Sequence, residues 1–331
     1  MATVIGMRPL LLVLILASLA LVACGGESSG DDDPRGTSFD AAIRDARAVR
    51  ARDFPAADGR TLQEIAADLP AINVGLATSV YTPGANRLAF GLIDERRRFV
   101  YGKTAVYLAR SPGGKAIGPF AAPADPLVVK PPFRSQGAAQ AGGDIAAVYQ
   151  ARVRIPRPGR WYVLGMTRSR GRTYGGAAQI QVRRSTAIPS EGEPAPRVAT
   201  DTVASARGDI ESIETRVPPD DMHERSFRDV VGRKPVALLF ATPRLCQSRV
   251  CGPVVDIAAQ LKAEYGERVE FIHQEVYVDN DLDQGLRPPM RAFGVRTEPW
   301  LFTVDREGRV AARLEGSFGN EGFREAVEAA L

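Results

Sequence analysis

At 331 residues the chain is too long for one ordinary domain and is expected to hold two domains plus tails. Its 44% apolar and 25% charged content is that of globular protein and excludes a disordered or fibrous chain. A formal net charge of +4 is small at this size, so no nucleic-acid partner is expected.

Near the N-terminus, Arg8 precedes an apolar run over 10–22 that is too short for a comfortable membrane span. It meets Leu21-Val22-Ala23-Cys24 and the polar tract GGESSGDDDPRG, so residues 1–23 read as a cleaved export signal. The Leu-Val-Ala-Cys run closely resembles the lipobox of bacterial lipoproteins. That resemblance implies lipidation of Cys24, which then anchors an extracytoplasmic protein to the bacterial cell membrane. Residues 24–60 read as a tether, with a short surface helix over 40–52 as the one element in it. Of the three cysteines, Cys246 and Cys251 then remain. At close spacing in an oxidising compartment they are expected to pair.

From 61 to 184 the texture changes to short alternating runs punctuated by Gly and Pro. Strands are expected over 72–80, 86–93, 105–109, 146–155, 161–167 and 177–182, with turns at Pro83-Gly84, Pro112-Gly113-Gly114 and Pro158-Gly159. This is the pattern of an all-β sandwich. The segment YQARVRIPRPGRWYVLG, 149–165, resembles the late hairpin of an immunoglobulin-like sandwich. Tyr149, Ala151, Val153 and Ile155 would face the core, with Trp161 and Val163 facing it from the partner strand. Such a domain is expected to be a spacer or binding platform. The Pro-, Gly- and Ala-rich stretch 113–143 is its one candidate binding loop, and a solvated connection is the simpler expectation. Residues 185–208, rich in Pro, Glu and Ser, read as a linker.

The C-terminal domain, 209–331, is organised around KPVALLFATPRLCQSRVCGPVVDIAAQLKAEYG, 234–266. An apolar strand over 236–240 runs through Thr242-Pro243 into the two cysteines, and Val254, Ile257, Ala258 and Leu261 follow at one-face helical spacing. Cysteines at a helix N-terminus meet free N–H groups and the positive end of the dipole, which favour thiolate, and Arg244 and Arg249 act the same way. The rest reads as a strand over 269–278, a helix around 286–293, strands over 300–305 and 310–315 joined by Arg306-Glu307-Gly308, and a closing helix from about 320 to 330. On an unbroken helix, residues five apart have Cα atoms about 8.6 Å apart. A disulfide spans no more than about 7 Å. The bonded pair therefore requires a loop over 246–251, with helix beginning near Gly252 or Pro253.

FGVRTEPWLFTVDREGRVAARLEGSF, 293–318, resembles the thioredoxin segment in which a Gly-Val-Arg turn and an X-Pro pair lead into the last hairpin. With the strand-cysteines-helix unit, the resemblance covers about a third of the chain. It implies an α/β thioredoxin-like fold after the immunoglobulin-like sandwich, a cis Glu298-Pro299 pair beside the cysteines, and Gly316 after the last strand. Two features depart from thioredoxin: four residues separate the cysteines, and the position of its buried acid falls near Leu239, which is apolar. Peroxiredoxins with both cysteines on one helix want a Thr three places before the first cysteine, where this chain has Pro243, with Thr242 one place early. A copper role would need soft and imidazole ligands, and the only histidines are His223 and His273, the latter expected to be satisfied or at the surface. Asp279, Asp281 and Asp283 alternate as in calcium loops but lack the Gly and Glu positions, and read as a solvated turn.

The expectation is a membrane-anchored thiol–disulfide oxidoreductase acting on protein thiols and disulfides, monomeric and without a dissociable cofactor or metal. Cys246 would be the nucleophile, Cys251 the resolving partner, Pro299 a backbone contact for substrate, and Glu298 a carboxylate close to the pair. The alternatives are a non-enzymatic interaction module with a structural disulfide and a thiol peroxidase.

Overall fold

The computed structural model describes residues 34–139 and 145–331. Residues 1–23, expected as a signal peptide, and Cys24 lie outside the described residues. Among the described residues, no helix is long and apolar enough to cross a membrane.

Residues 34–331 form one compact unit. The first part is a β-sandwich of two four-stranded antiparallel sheets. One has the order β1 (Asn73–Leu76), β2 (Gly84–Ile93), β6 (Ala147–Ile155), β5 (Ala124–Pro126). The other has the order β4 (Ile117–Ala121), β3 (Lys103–Ala109), β7 (Gly159–Ser169), β8 (Arg172–Val182). Leu88, Phe90, Tyr149, Ala151 and Val153 of the first sheet share one buried cluster with Val106, Leu108, Trp161, Val163 and Ile180 of the second. The inward faces expected of 149–155 and of Trp161 and Val163 are therefore correct, but β6 and β7 are not a hairpin. They belong to opposite sheets, and the chain crosses between them through Pro156 and Pro158, which have no N–H to give a ladder.

The inner strands of the second sheet, β3 and β7, are covered on both sides. Helix α1 (Pro34–Arg47) sets Ile43 and Ala46 into the sandwich core, and Val49, Phe54 and Ala57 follow on to α2 (Leu62–Ala66). With Leu62 and Ile65 they cover Ala105, Tyr107, Leu164 and Met166 on the outer face of β3 and β7. Thr61 starts α2 with a capping box: its side chain accepts from Glu64 N–H, and the Glu64 carboxylate accepts from Thr61 N–H.

The C-terminal part follows the expected order. Strand β9 (Val236–Phe240) pairs in parallel with β10 (Glu270–Gln274) and antiparallel with β11 (Trp300–Val304), which pairs with β12 (Val310–Glu315), giving β10-β9-β11-β12. After a single turn, α3 (Phe227–Val230), come α4 (Cys251–Tyr265), α5 (Pro288–Ala292) and α6 (Asn320–Ala329). Strands β9 and β11 are buried on both faces, as a central αβα layer requires. Within the expected linker, residues 188–195 lie along the edge of β12: Gly192 N–H donates to Val310 O, Val310 N–H to Glu193 O, and Ala195 N–H to Gly308 O. Ile188 and Ala195 are buried there, so an otherwise open sheet edge is covered.

The described part of the stretch expected as a solvated connection, 113–139, is instead packed. It forms β4 and β5 and then crosses α4, with Leu127, Val129 and Ala139 in the same apolar cluster as Val254, Val255 and Leu261. Ser135 N–H and Oγ–H donate to Asp256, Lys130 N–H donates to Gln260, and Gln136 N–H donates to Val217 O. Apolar residues spaced through a Pro- and Gly-rich run reach a surface that only the tertiary fold creates.

A polar seam joins the two parts. Asp125 accepts N–H bonds from Gly319, Glu321 and Gly322 at the start of α6, each 2.9 Å. Arg87 donates to the carbonyls of Glu315 and Ser317, and the Glu315 carboxylate accepts from Ser79 Oγ and Val80 N–H. Gly316 has φ 70°, and a Cβ there would stand 1.6 Å from Ala77 O. Gly316→Ala is expected to cost at least about 3 kcal/mol, from overpacking and backbone strain together. Thermal unfolding checks this, with increased proteolysis across 185–208 as the second readout.

Candidate functional site

Strand β9 ends at Phe240 and delivers Ala241 and Thr242 to the tip of the sheet, where the chain turns through Pro243 into the cysteine loop. Cys246 and Cys251 are disulfide-bonded with Cα atoms 6.0 Å apart. Residues 246–250 are not helical, Arg249 has φ 58°, and α4 begins at Cys251. This is the loop that the span of the disulfide requires, with the helix starting one residue earlier than expected. A left-handed residue cannot continue a helix, so Arg249 marks the break. Pro253 falls in the first turn of α4, where its missing N–H leaves no helix bond unmade.

The two sulfurs differ in environment. Cys246 is half-buried and lines a groove of about 580 Å³ with Gln136, Pro243, Arg244 and Arg249, and the Ser248 hydroxyl lies 3.2 Å from its Sγ. Cys251 is fully buried, and its Sγ lies 3.5 Å from Glu298 Oε2. The Glu298-Pro299 peptide is cis, as the resemblance to thioredoxin implies. Glu298 is thus brought to Cys251 rather than to Cys246.

Burial pushes the Glu298 carboxyl up to about 7, against the pull of Thr242 N–H, which donates to Oε2 at 2.6 Å. Negative charge on Glu275 adds to the upward push. Glu298 also borders a second cavity of about 370 Å³, walled by Leu76, Ile93 and Phe99 of the sandwich and by Val250 beside the cysteines. The sandwich is therefore a wall of the site.

Behind the disulfide lies a set of buried polar side chains that the sequence reading did not assemble. Glu275 accepts from Thr215 N–H and Oγ–H at 2.7 and 2.8 Å, and burial pushes its carboxyl up. Arg244 N–H donates to Thr215 Oγ1, which ties the cysteine loop to this set. His273 is fully buried, with Nδ1 2.9 Å from Asp220 and Nε2 3.0 Å from Ala241 O. The expectation of a satisfied histidine fits these bonds. Its one legible signal was the polar run His273-Gln274-Glu275 inside an otherwise apolar strand pattern. Leu239, where thioredoxin's acid would fall, sits in the apolar core; Glu298 and Glu275 bring carboxyls to the same end of the sheet from other elements. Thr242, one place away from where a peroxidase Thr would stand, has its Oγ1 accepting from Val276 N–H. Asp281 accepts from Asp283 N–H in an exposed turn, a local arrangement that needs no ion.

No protein-family model matches this chain, and no curated protein matches it. Among solved structures, a putative thiol:disulfide interchange protein DsbE from Chlorobium tepidum is similar at 18% identity over 43% of this chain and 98% of that one, with a TM-score of 0.31. MTB dsbF is similar at 17% identity over 41% of this chain and 96% of that one, with a TM-score of 0.28. The human F-spondin reeler domain aligns at 10% identity over 34% of this chain and 92% of its own, with a TM-score of 0.19. Likenesses of this size add no weight to the site's own geometry.

The raised pKa of Glu298 has a stability consequence with a definite sign. The folded state holds this proton up to about pH 7, whereas the unfolded carboxyl loses it near 4.5. Stability is therefore expected to fall as pH rises from 4.5 through 7, where folding must bury a charge. Glu298→Gln keeps the shape and removes the charge, so its urea midpoint is expected to match wild type at pH 5 and exceed it at pH 8.

Proposed function

We propose that the protein is an extracytoplasmic thiol–disulfide oxidoreductase, tethered to the membrane by lipid on Cys24, with a thioredoxin-like catalytic domain over 209–331 held against an immunoglobulin-like sandwich over 61–184. The observation that carries the reading is the asymmetry of the disulfide: one sulfur half-buried at a groove, the other buried against a carboxyl that titrates near 7. The sheet order β10-β9-β11-β12 and the cis Pro299 support the thioredoxin-like reading. The orders β1-β2-β6-β5 and β4-β3-β7-β8 correspond to ABED and C′CFG sheets, which supports the immunoglobulin-like one.

In the reduced enzyme the Cys246 thiolate attacks one sulfur of a substrate disulfide, forming a mixed disulfide and expelling the other substrate sulfur as thiolate. Glu298, as carboxylate, accepts the Cys251 thiol proton. The Cys251 thiolate then attacks Cys246 Sγ, releasing the second substrate thiolate and closing the Cys246–Cys251 bond. Run backwards, the same steps oxidise a dithiol. Pro299 presents backbone beside the pair, and the cavity walled by Leu76, Ile93 and Phe99 receives apolar substrate side chains. No dissociable cofactor takes part.

Cys251→Ser is expected to accumulate mixed disulfides through Cys246 in the native membrane, and Cys246→Ser none. The wild-type disulfide should titrate well above about −300 mV; a bond that resists reduction below that value would make it a structural staple and end the enzymatic reading. Closure of the mixed disulfide should speed up as pH rises through 7 and slow by about 100-fold in Glu298→Gln, the scale of a lost general base. Cys24→Ser is expected to leave the protein unprocessed or free of the membrane, checked by the mass of its mature N-terminus.

A further inference from the structure

Four ionisable side chains converge beneath the cysteine loop, apart from the redox pair. Glu214, Asp220 and His223 come from the irregular segment before α3, and His273 comes from β10. Their side chains are 0–1% exposed, and one donor atom from each lies within 4.8 Å of all the others. His273 Nδ1 is 2.9 Å from Asp220 Oδ2 and 3.5 Å from Glu214 Oε2, and His223 Nε2 is 3.1 Å from Glu214 Oε2. For metal–ligand bonds of about 2.0–2.1 Å, the ligand–ligand edge of a tetrahedron is about 3.3 Å, so these spacings bracket it.

The atoms around the cluster hold the donors in place. Glu214 Oε1 accepts from Arg216 N–H and Asp220 Oδ1 from Met222 N–H; Asp220 Oδ2 faces His273, and Glu214 Oε2 faces both imidazoles while also accepting from Asp220 N–H at 3.3 Å. His273 Nε2 lies 3.0 Å from Ala241 O, so it carries the proton there and leaves Nδ1 as the inward nitrogen. A backbone carbonyl behind a histidine and a backbone N–H behind each carboxylate are the supports that fix metal ligands.

Charge points the same way. Glu214 and Asp220 bring two carboxylates into a buried site beside two imidazole rings, and a divalent cation held between them would offset both.

We infer that Glu214, Asp220, His223 and His273 form a binding site for one divalent first-row transition-metal ion of zinc type. Two imidazole nitrogens and two carboxylate oxygens suit Zn²⁺ and contain no thiolate. The ion fastens 214–223 to the end of β10. Because Thr215 bonds both Glu275 and Arg244 N–H, it also steadies the loop that carries Cys246. The role is structural, since all four positions are filled by protein.

The test uses the full-length protein in detergent with its cysteines oxidised, so that thiols cannot ligate. After dialysis against EDTA, titration with ZnCl₂ is expected to give one ion per chain, with Kd below about 1 μM and a higher Tm. Co²⁺ in its place should give tetrahedral d–d bands without thiolate charge transfer. His223→Gln and His273→Gln should each weaken Zn²⁺ binding by at least about 100-fold. Should either variant fail to fold by circular dichroism, the other variant and the wild-type Tm shift decide. A wild-type Tm indifferent to EDTA and ZnCl₂, or unchanged affinity in a folded variant, would overturn the assignment.

Discussion

Asp125, on a three-residue strand of the sandwich, supplies what α6 lacks in its own sequence. The cap position of that helix is Gly319, which has no side chain to accept its first N–H groups, and the Asp125 carboxylate accepts three of them instead. Glycine is also the residue that admits this approach, since a Cβ at 319 would stand 2.4 Å from Asp125 Oδ1. The positive end of the helix faces the buried carboxylate. Because α6 packs on β11 and β12, the position of the whole C-terminal sheet is fixed from across the seam. Arg87, on the carbonyls of Glu315 and Ser317, holds the same corner from the other side.

That fixed seam shapes the surroundings of the disulfide. It brings Leu76, Ile93 and Phe99 to the cavity that Glu298 borders, so the disulfide belongs to the C-terminal part and much of the surrounding surface to the sandwich. Carboxyls stand at this end of the sheet even though β9 is apolar throughout: Glu298 reaches the disulfide from beside the cis proline, and Glu275 stands behind it at the end of β10. An acid brought in on a loop, with Thr242 N–H to orient it, can take up the proton of a buried thiol as an acid on the central strand would.

What the sequence made legible follows from period and length. The apolar run of β9, the one-face spacing of α4 and the hairpin at Arg306-Glu307-Gly308 are local patterns, and each element stands within a residue or two of its expected place. Strands β4 and β5 were hidden because Ile117–Ala121 contains Gly118 and Pro119, and Ala124–Pro126 is too short for any alternation. Strand β1 ends at Leu76 rather than 80, because Ser79 and Val80 turn to bond Glu315, a partner more than two hundred residues away in the chain. The cluster around His273 was illegible for the same reason: its members are unremarkable in sequence and gain meaning only when a loop closes on a strand end. The cysteine loop could be read because it rests on one covalent distance.

The path of residues 127–139 across α4 has a practical consequence. In a free-standing two-layer domain the outer face of such a helix would meet water and be polar, yet here residues 251–258 are buried all round. A recombinant fragment cut at the apparent boundary before residue 209 would lay Val254, Val255 and Leu261 partly bare and leave Asp256 paired with Arg216 but without the two Ser135 bonds on its other oxygen. Such a fragment is a poor reagent for kinetics or crystallisation, and homologues aligned on the cysteine domain alone would seem to carry a misplaced hydrophobic face. The helix that carries Cys251 and its cover must be cloned, aligned and evolved as one piece.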